Sequence, residues 1–266
     1  MAKANSGDST TADALFEGRL ILEQPERGYR FSVDTPLLIW FAAQGRRVKS
    51  CVDLGAGCGA LGLAALASEL AQRAIGVEIQ PRLAALARSN ARRNGLEERY
   101  RLVEGDMRDP EPLLEPQHLD LALVNPPFWP ADDGGRLPGD PERRTACHEI
   151  AIDLRGWIDV AARLLHPARG RLCAVFPARR TDELFVALRE RGLRAERLTP
   201  VYPAPGEPAE LTLLEARRGR PGRVSLSEPI TLHDAENRPT ARLGIVLSGG
   251  FSEALLARPD RRRNED

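Results

Sequence analysis

Hydrophobic positions along the chain alternate between two periods from residue 48 onward. Five short apolar runs have the pattern of buried strands: KSCVDLG, AIGVEI, RLVEG, LDLALVN and GRLCAVF. Three longer segments place apolar residues at helical spacing: ALGLAALASELAQ, PRLAALARSNARRNG and LRGWIDVAARLLHP. Strands that alternate with helices predict parallel β-α-β units, hence an α/β protein with an open, doubly wound sheet and helices on both faces. Such sheets bind ligands at the carboxyl ends of their strands.

The last two strand candidates break this alternation. After the helical segment TDELFVALRERG, the runs RAERLTPVY and AELTLLEARRG are joined only by the loop PAPGEPAE. A parallel pair needs a crossover of a dozen or more residues, usually a helix, and this loop is too short for one. We therefore expect this pair to be antiparallel.

The first 47 residues are less regular. Residues 1–17 are small and polar, which predicts disorder. RLILEQP is a candidate strand or hairpin arm, and GYRFSVDTPLLIWFAAQG predicts a loop that leads into a helix. We expect Asp34 to be the N-cap of that helix, Pro36 to lie in its first turn and Gly45 to mark its end.

Composition excludes several classes of protein. The 266 residues carry no net charge, and the cations are almost all arginine, with Lys3 and Lys49 as the only lysines. The N-terminus lacks the apolar core of a signal peptide, and no run approaches the roughly 18 apolar residues of a membrane span. Four scattered cysteines without a C-x-x-C pair argue against zinc and fit reduced thiols. We expect a cytoplasmic protein without a metal.

A glycine-rich turn follows the first strand of the regular region. In CVDLGAGCGALGL, Gly55, Gly57, Gly59 and Gly62 lie between a strand and a helix, where they let the backbone approach a nucleotide closely. The pattern G-x-G-x-x-G suits a nicotinamide dinucleotide as well as S-adenosylmethionine (SAM). The glycines alone leave both ligands open.

Three acidic residues at strand ends bear on that choice. Asp53 precedes the glycines, where it can face the ammonium group of SAM but would repel a pyrophosphate. Glu78 ends the second strand and can accept hydrogen bonds from ribose hydroxyls of either cofactor. Asp106 follows the third strand and can accept a hydrogen bond from an adenine amino group, with Met107 available to pack on the purine. Asp53 favours SAM.

The apolar strand LDLALVN runs into Asn125-Pro126-Pro127-Phe128. With D-x-G-x-G-x-G, the acid at Glu78, the GD pair and the final antiparallel strands, this sequence resembles the class I SAM-dependent methyltransferases over residues 28–217. The resemblance implies a Rossmann-like, seven-stranded, mostly parallel sheet with an antiparallel final hairpin. It also implies a single domain over residues 18–255, with a cofactor half of about 28–110, a catalytic and substrate half of about 111–255, and a charged tail at 256–266.

The N-P-P-F sequence suits methylation of a planar nitrogen. The lone pair of an amino group conjugated to a ring is delocalised, so the nitrogen is a poor nucleophile. If the Asn125 side-chain oxygen and the Pro126 carbonyl accept its two N–H bonds, the lone pair is directed toward the methyl group. Pro127 stiffens the loop, and Phe128 would stack on the ring for about 1 to 3 kcal/mol.

In methyltransferases of this class, N/D-P-P-Y/F is associated with adenine N6, guanine N2 and the glutamine side-chain amide. Only about fifty residues precede Asp53. That leaves no room for the helical substrate domain of a release-factor glutamine enzyme, or for the duplicated fold of a two-domain guanine rRNA enzyme. Glutamine amide and guanine N2 remain as alternatives to adenine.

Four segments have a closer resemblance: RLILEQPERGYRFSVDTPLLIWFA, NPPF, ACHEIAIDLRGWIDVAARLL and PITLHDAENRPTARLGIVLSGG. In order and spacing they resemble the bacterial tRNA adenine-N6 methyltransferases that act beside the anticodon of a valine tRNA. This resemblance implies that Arg30, Phe31 and Asp34 pack over the cofactor, and that the partner is RNA at a tRNA anticodon. Cys147, where arginine is common, and the long loop WPADDGGRLPGDPERRT depart from the family pattern.

Two other classes of function remain open from the sequence. An NAD-binding oxidoreductase is disfavoured by Asp53 and the N-P-P-F sequence, and a non-catalytic RNA-binding factor with this fold would not need Asn125. Arginines could contact phosphate near the catalytic edge, namely Arg143, Arg144, Arg179, Arg180 and the cluster of residues 217–223. Oligomeric state does not follow from the sequence.

Overall fold

A computed structural model describes residues 9–26, 30–109, 118–126, 153–218 and 223–250. The described chain begins with a hairpin of two antiparallel strands, β1 (Thr10–Leu15) and β2 (Leu20–Pro25). The expectation of disorder for residues 1–17 is therefore wrong for β1. β1 is polar because most of its residues are exposed or only partly buried. It forms a strand by pairing with β2, whose Leu20 and Leu22 are fully buried.

A sheet of nine strands forms the centre of the described structure. Its strands are β3 (Val48–Leu54), β4 (Ala71–Glu78), β5 (Tyr100–Glu104), β6 (Leu121–Val124), β7 (Arg171–Pro177), β8 (Leu193–Tyr202), β9 (Leu211–Arg218), β10 (Ser225–Leu226) and β11 (Ile230–Thr231). The order is β10-β8-β9-β7-β6-β3-β4-β5, and β11 also pairs with β8. β9 is antiparallel to both β7 and β8, and the other pairs are parallel. The parallel order and the antiparallel final pair confirm the expected fold class, and two short strands extend its seven-stranded sheet.

Six α-helices connect or cover these strands in the described residues. They are α1 (Asp34–Ala43), α2 (Ala60–Ala67), α3 (Pro81–Arg93), α4 (Leu154–Leu164), α5 (Thr181–Glu190) and α6 (Ala241–Ser248), and a 3-10 turn (Ala178–Arg180) precedes α5. Two boundaries differ from expectation. Asp34 is the first residue of α1 and Val33 is its N-cap. The helix predicted over ALGLAALASELAQ ends at Ala67, and the chain turns at Glu69, with φ of 57°, into β4. The sequence did not reveal this boundary because an apolar run does not by itself distinguish a helix end from a buried strand.

The core lies on both faces of the sheet. Successive residues of a strand point to opposite faces, so Cys51 of β3 belongs to one apolar cluster and Val52 to the other. The first cluster contains α1, α2, α3 and the hairpin. The second contains α4 and α5, with Trp157 as its largest fully buried side chain. Helices on both faces are confirmed. No helix among the described residues has the length and apolar character needed to cross a membrane.

A buried ion network ties α1 to the sheet. Arg171 is fully buried, and its guanidinium donates to the carbonyls of Ala42 at 2.8 Å and Arg46 at 2.7 Å. The carboxylate of Glu215 accepts from Arg197 at 2.9 Å and from Arg217 at 2.7 Å. Burial acts to raise the pKa of Glu215, but the three arginines more than offset it and bring the pKa to about 2. Glu215 is therefore an anion in the folded protein at neutral pH.

Candidate active site

A cleft opens at the carboxyl ends of β3 and β6. Three separate parts of the chain line it: Phe31 from the segment before α1, residues of the β3–α2 turn from Asp53 to Leu61, and Asn125 just after β6. β3 and β6 are parallel neighbours in register, with Leu54 beside Val124, so the residues that follow both strands meet at one edge. This is the edge at which an open α/β sheet binds its ligands.

The glycine turn has the left-handed backbone that its sequence predicts. Gly55, Gly57 and Gly59 have φ angles of 76°, 56° and 88°, a region that other residues rarely adopt. Gly62 has a different role. A Cβ on Gly62 would lie 2.6 Å from Cε2 of Tyr100, so this glycine allows the tyrosine ring to pack beneath the turn.

Asp53 is buried at the base of the cleft, with 1% of its surface exposed. Its Oδ2 accepts a hydrogen bond from the backbone N–H of Gly62 at 2.8 Å, while Oδ1 has no partner among the described residues. Burial raises the pKa of Asp53 to about 7; the Gly62 hydrogen bond opposes this shift and the charge of Glu78 adds to it. An unpartnered carboxylate oxygen in a cleft is a natural position for a cationic group.

Glu78 supports the glycine turn directly. Its Oε2 accepts from the N–H of Gly57 at 2.7 Å, and its Oε1 accepts from the N–H of Gln80 at 2.8 Å. Because a carboxylate has about four acceptor positions, these two bonds are compatible with further bonds to a sugar hydroxyl. The sequence placed Glu78 at the strand end but did not reveal its contact with Gly57.

Asp106 and Met107 follow β5 next to the same turn. The methyl carbon of Met107 lies 3.7 Å from the position of a Cβ on Gly55. The carboxylate of Asp106 instead binds the guanidinium of Arg108, and this hydrogen bond lowers the pKa of Asp106. In this arrangement Asp106 faces an arginine on the surface, and an adenine amino group would have to compete with it.

The three residues expected to pack over the cofactor differ in their positions. Phe31 lines the cleft. Arg30 binds the hairpin: its guanidinium donates to Thr11 Oγ1 at 2.6 Å, to the Pro25 carbonyl at 2.8 Å and to Asp13 Oδ2 at 3.0 Å. Asp34 begins α1 beside the cleft residue Thr35, and burial raises its pKa. Only Phe31 of the three is among the residues that line the cleft.

Asn125 lines the cleft together with residues of the glycine turn and is half-buried, and Pro126 after it is buried. Pro127 and Phe128 lie outside the described residues, as does Cys147. The expected roles of Pro127 and Phe128 stay predictions.

Two of the arginines considered as possible phosphate contacts have positions that argue against that role near the cleft. Arg180 is buried. Its guanidinium carbon lies 5.2 Å from the ring centre of Phe176, and its guanidinium nitrogen pairs with a carboxylate oxygen of Glu183 at 2.9 Å. Arg217 is the next-to-last residue of β9, and because β9 is antiparallel to β7, Arg217 pairs in register with Arg171 at the start of β7. It therefore lies at the amino end of the parallel strands, away from the cleft. Arg143 and Arg144 lie outside the described residues.

Asn90 is a buried residue of this region that sequence reasoning missed. Its side-chain amide donates to the Cys58 carbonyl in the glycine turn at 2.9 Å and to the Glu23 carbonyl of β2 at 2.8 Å. Its Oδ1 accepts from the Glu23 N–H at 2.7 Å. The available signal was a pair of asparagines, Asn90 and Asn94, one helical turn apart on the face of α3 that meets the hairpin.

The comparisons with known proteins agree with this geometry. The family described as "Methyltransferase small domain" matches residues 34–134. A tRNA1(Val) (adenine(37)-N6)-methyltransferase of Porphyromonas gingivalis is 32% identical over 205 residues, which cover 75% of this chain and 78% of the relative. A release factor glutamine methyltransferase of Geobacter sulfurreducens is 40% identical over 103 residues, but these cover only 34% of that protein. Among solved structures, a predicted O-methyltransferase from Agrobacterium tumefaciens superposes with a TM-score of 0.61 at 22% identity, covering 80% of this chain and 95% of that one.

Fold, cleft and comparisons together define a class I SAM-dependent methyltransferase. The match to the P. gingivalis protein spans most of both chains. A second protein of the same name from another P. gingivalis strain is 34% identical over 178 residues, which cover 66% of this chain and 68% of that relative. The chain therefore belongs to the methyltransferase family that includes these two P. gingivalis proteins.

Proposed function

We propose that this methyltransferase transfers a methyl group from SAM to the exocyclic N6 of adenine in RNA, and that the RNA is a tRNA. The observation that carries the proposal is the position of Asn125 directly after β6, on the same cleft as Asp53 and the glycine turn. An acceptor for an amino group and a position for a cation thus share one cleft.

The residues of the cleft fit SAM. The unpartnered Oδ1 of Asp53 suits the ammonium group of its methionine part, and the same carboxylate would repel a pyrophosphate. Glu78 ends β4, where carboxylate oxygens can accept from ribose hydroxyls. Phe31 and Met107 provide apolar surface near the turn. When bound, SAM supplies an electrophilic methyl group on a sulfonium ion.

Residues of this chain orient the amino group of the substrate. The side-chain oxygen of Asn125 and the carbonyl of the buried Pro126 are the two acceptors for the N–H bonds of the amino group. Held in this way, the nitrogen directs its lone pair at the methyl carbon, and the reaction gains from orientation and from preorganised dipoles. The product amine can lose its extra proton after transfer, so no strong base is required. Phe128 is the proposed stacking surface for the base.

Two lines of support favour a tRNA adenine. The P. gingivalis relatives are named as tRNA1(Val) (adenine(37)-N6)-methyltransferases and match most of this chain. Unpaired bases in an RNA loop can be turned out of the stack at modest cost and then stack on aromatic side chains. A protein glutamine amide is the second candidate, since the glutamine methyltransferase match also concerns a planar nitrogen, but it covers 38% of this chain.

The Asn125→Ala variant tests the proposal. The variant should bind S-adenosylhomocysteine within about twofold of wild type, while N6-methyladenosine formation in tRNA falls by at least about a hundredfold, as expected when an interaction made in the transition state is removed. The two readouts are calorimetric titration of the nucleoside ligand and mass spectrometry of nucleosides from treated tRNA. A variant that methylates tRNA at the wild-type rate would exclude Asn125 from the reaction.

A further inference from the structure

The hairpin β1–β2 contacts both walls of the cleft through buried side chains. The first wall is the glycine turn. Asn90 is fully buried and joins the turn to β2, with bonds to the Cys58 carbonyl and to both backbone groups of Glu23. All three of the described side-chain hydrogen bonds of Asn90 join these two segments, and Cys58 itself lines the cleft.

The second wall is the segment before α1. Gln24 of β2 is 2% exposed, and its Oε1 accepts from the backbone N–H of Phe31 at 3.0 Å. Its amide nitrogen donates to Asp13 Oδ2 of β1 at 2.7 Å. Arg30, next to Phe31, binds the same Asp13 oxygen at 3.0 Å. The backbone of the cleft residue Phe31 is thus fixed to the hairpin.

Glu23 and Gln24 are adjacent residues of β2. The backbone of Glu23 bonds Asn90 and, through it, the glycine turn, and the side chain of Gln24 bonds the backbone of Phe31. We propose that the hairpin is a clamp that sets the spacing of the two walls of the SAM cleft, and that Asn90 and Gln24 are its positioning residues. This inference rests on the proposal that the cleft holds SAM.

The chain offers a matched control for Asn90. Asn94, the C-cap of α3, lies one helical turn after Asn90 and forms the same pair of bonds to β2. Its Oδ1 accepts from the Ile21 N–H at 2.9 Å, and its amide donates to the Ile21 carbonyl at 2.7 Å. Its amide also donates to the carbonyl of Asn90 at 2.7 Å, and no contact among the described residues joins it to the glycine turn. Asn94→Ala therefore weakens the docking of the hairpin and leaves the Cys58 contact in place.

The test measures binding of S-adenosylhomocysteine by calorimetry to the full-length protein and its Asn90→Ala, Gln24→Ala and Asn94→Ala variants. Loss of one positioning hydrogen bond should raise Kd about three- to tenfold in the first two variants and less than about twofold in the third. In methylation assays the KM for SAM should rise with Kd, while kcat at saturating SAM changes less because Asn125 is untouched. Thermal unfolding of each variant reports damage to the fold separately.

The outcomes are distinct. Equal changes of Kd in the Asn90 and Asn94 variants, or wild-type affinity in a folded Asn90→Ala, would overturn the clamp. If Asn90→Ala does not fold, Gln24→Ala decides: an increased Kd supports the clamp, and an unchanged Kd overturns it. Failure of the wild-type protein to bind the ligand would instead refute the cofactor site, and the clamp with it.

Discussion

Asp53 combines a structural contact with the proposed binding of the cofactor's ammonium group in one buried carboxylate. Its Oδ2 holds the N–H of Gly62, which fixes the start of α2 against β3. Its Oδ1 lies without a partner among the described residues. Because burial raises the pKa of Asp53 to about 7, the carboxyl group is largely neutral in weak acid and becomes an anion near neutrality.

Affinity for the cofactor should therefore depend on pH. The ammonium group of S-adenosylhomocysteine binds the ionised carboxylate better, so Kd should fall as pH rises through about 7, the pKa of Asp53. In the ligand-free protein the sign is opposite: an acid whose folded pKa exceeds its ordinary value of 3.8 makes folding less favourable as pH rises from about 4 to 7. Asp53→Asn should flatten both dependences, as measured by calorimetry and urea unfolding. A pH-dependent Kd that persists in Asp53→Asn would assign the titration to another group.

Tyr100 gives a second prediction at the level of single residues. Its hydroxyl is buried beneath the glycine turn and has no hydrogen-bond partner among the described residues. A buried polar group without a partner costs about 1 to 3 kcal/mol, so Tyr100→Phe should increase the free energy of unfolding by about 1 kcal/mol. Urea denaturation measures the change. A clear loss of stability would show that the hydroxyl has a partner.

The sequence predicted those helices and strands whose formation depends on their own residues, and it missed those that depend on distant contacts. The parallel strands and the antiparallel pair β8–β9 followed from apolar runs and loop lengths. β1 was missed because TTADAL carries little apolar signal of its own and becomes a strand by pairing with β2. Likewise Asp53 and Asn125 were found because strand ends place them at one edge. The contact of Asn90 with Cys58 joins residues 32 positions apart, which no local pattern encodes.

The packing of α2 on β5 can be tested through two helical glycines. A methyl group on Gly62 would meet Tyr100 Cε2 at 2.6 Å, so Gly62→Ala should destabilise the protein by about 1 to 3 kcal/mol through overpacking. Gly244 in α6 has open space around its Cβ position, so Gly244→Ala should stabilise by about 0.5 to 1 kcal/mol through helix propensity. Thermal or urea unfolding compares them. Similar effects from the two substitutions would contradict the close contact with Tyr100.

At the scale of the molecule, the Glu215 network joins α1 to β7, β8 and β9. Removing its charge takes away the anionic partner that the described residues give the fully buried Arg171, so Glu215→Gln should cost about 3 kcal/mol or more at neutral pH. The folded pKa of Glu215 is about 2 against an ordinary 4.5, so its contribution is present above 4.5 and is lost as pH falls toward 2. The stability difference between wild type and variant, from urea unfolding, should shrink below pH 4.5. A difference that stays constant down to about pH 3 would contradict this assignment.

The same architecture accounts for the proposed chemistry. The sheet brings the ends of β3 and β6 together, the hairpin and α3 support the glycine turn, and Asn125 faces the cleft from the other strand. These relations bring the proposed cofactor site and Asn125 to one cleft. The central claim is that the methyl group goes to the N6 of adenine in tRNA, and testing it requires the whole protein with its substrate.

The most direct test is incubation of the purified protein with radiolabelled SAM and, separately, total tRNA, rRNA and a protein extract, followed by analysis of the labelled products. We expect the label to appear as N6-methyladenosine in tRNA, and to be absent when Asn125→Ala replaces the wild-type protein. Label in protein glutamine or in guanine would preserve the chemistry of a planar nitrogen but contradict adenine in tRNA as the substrate.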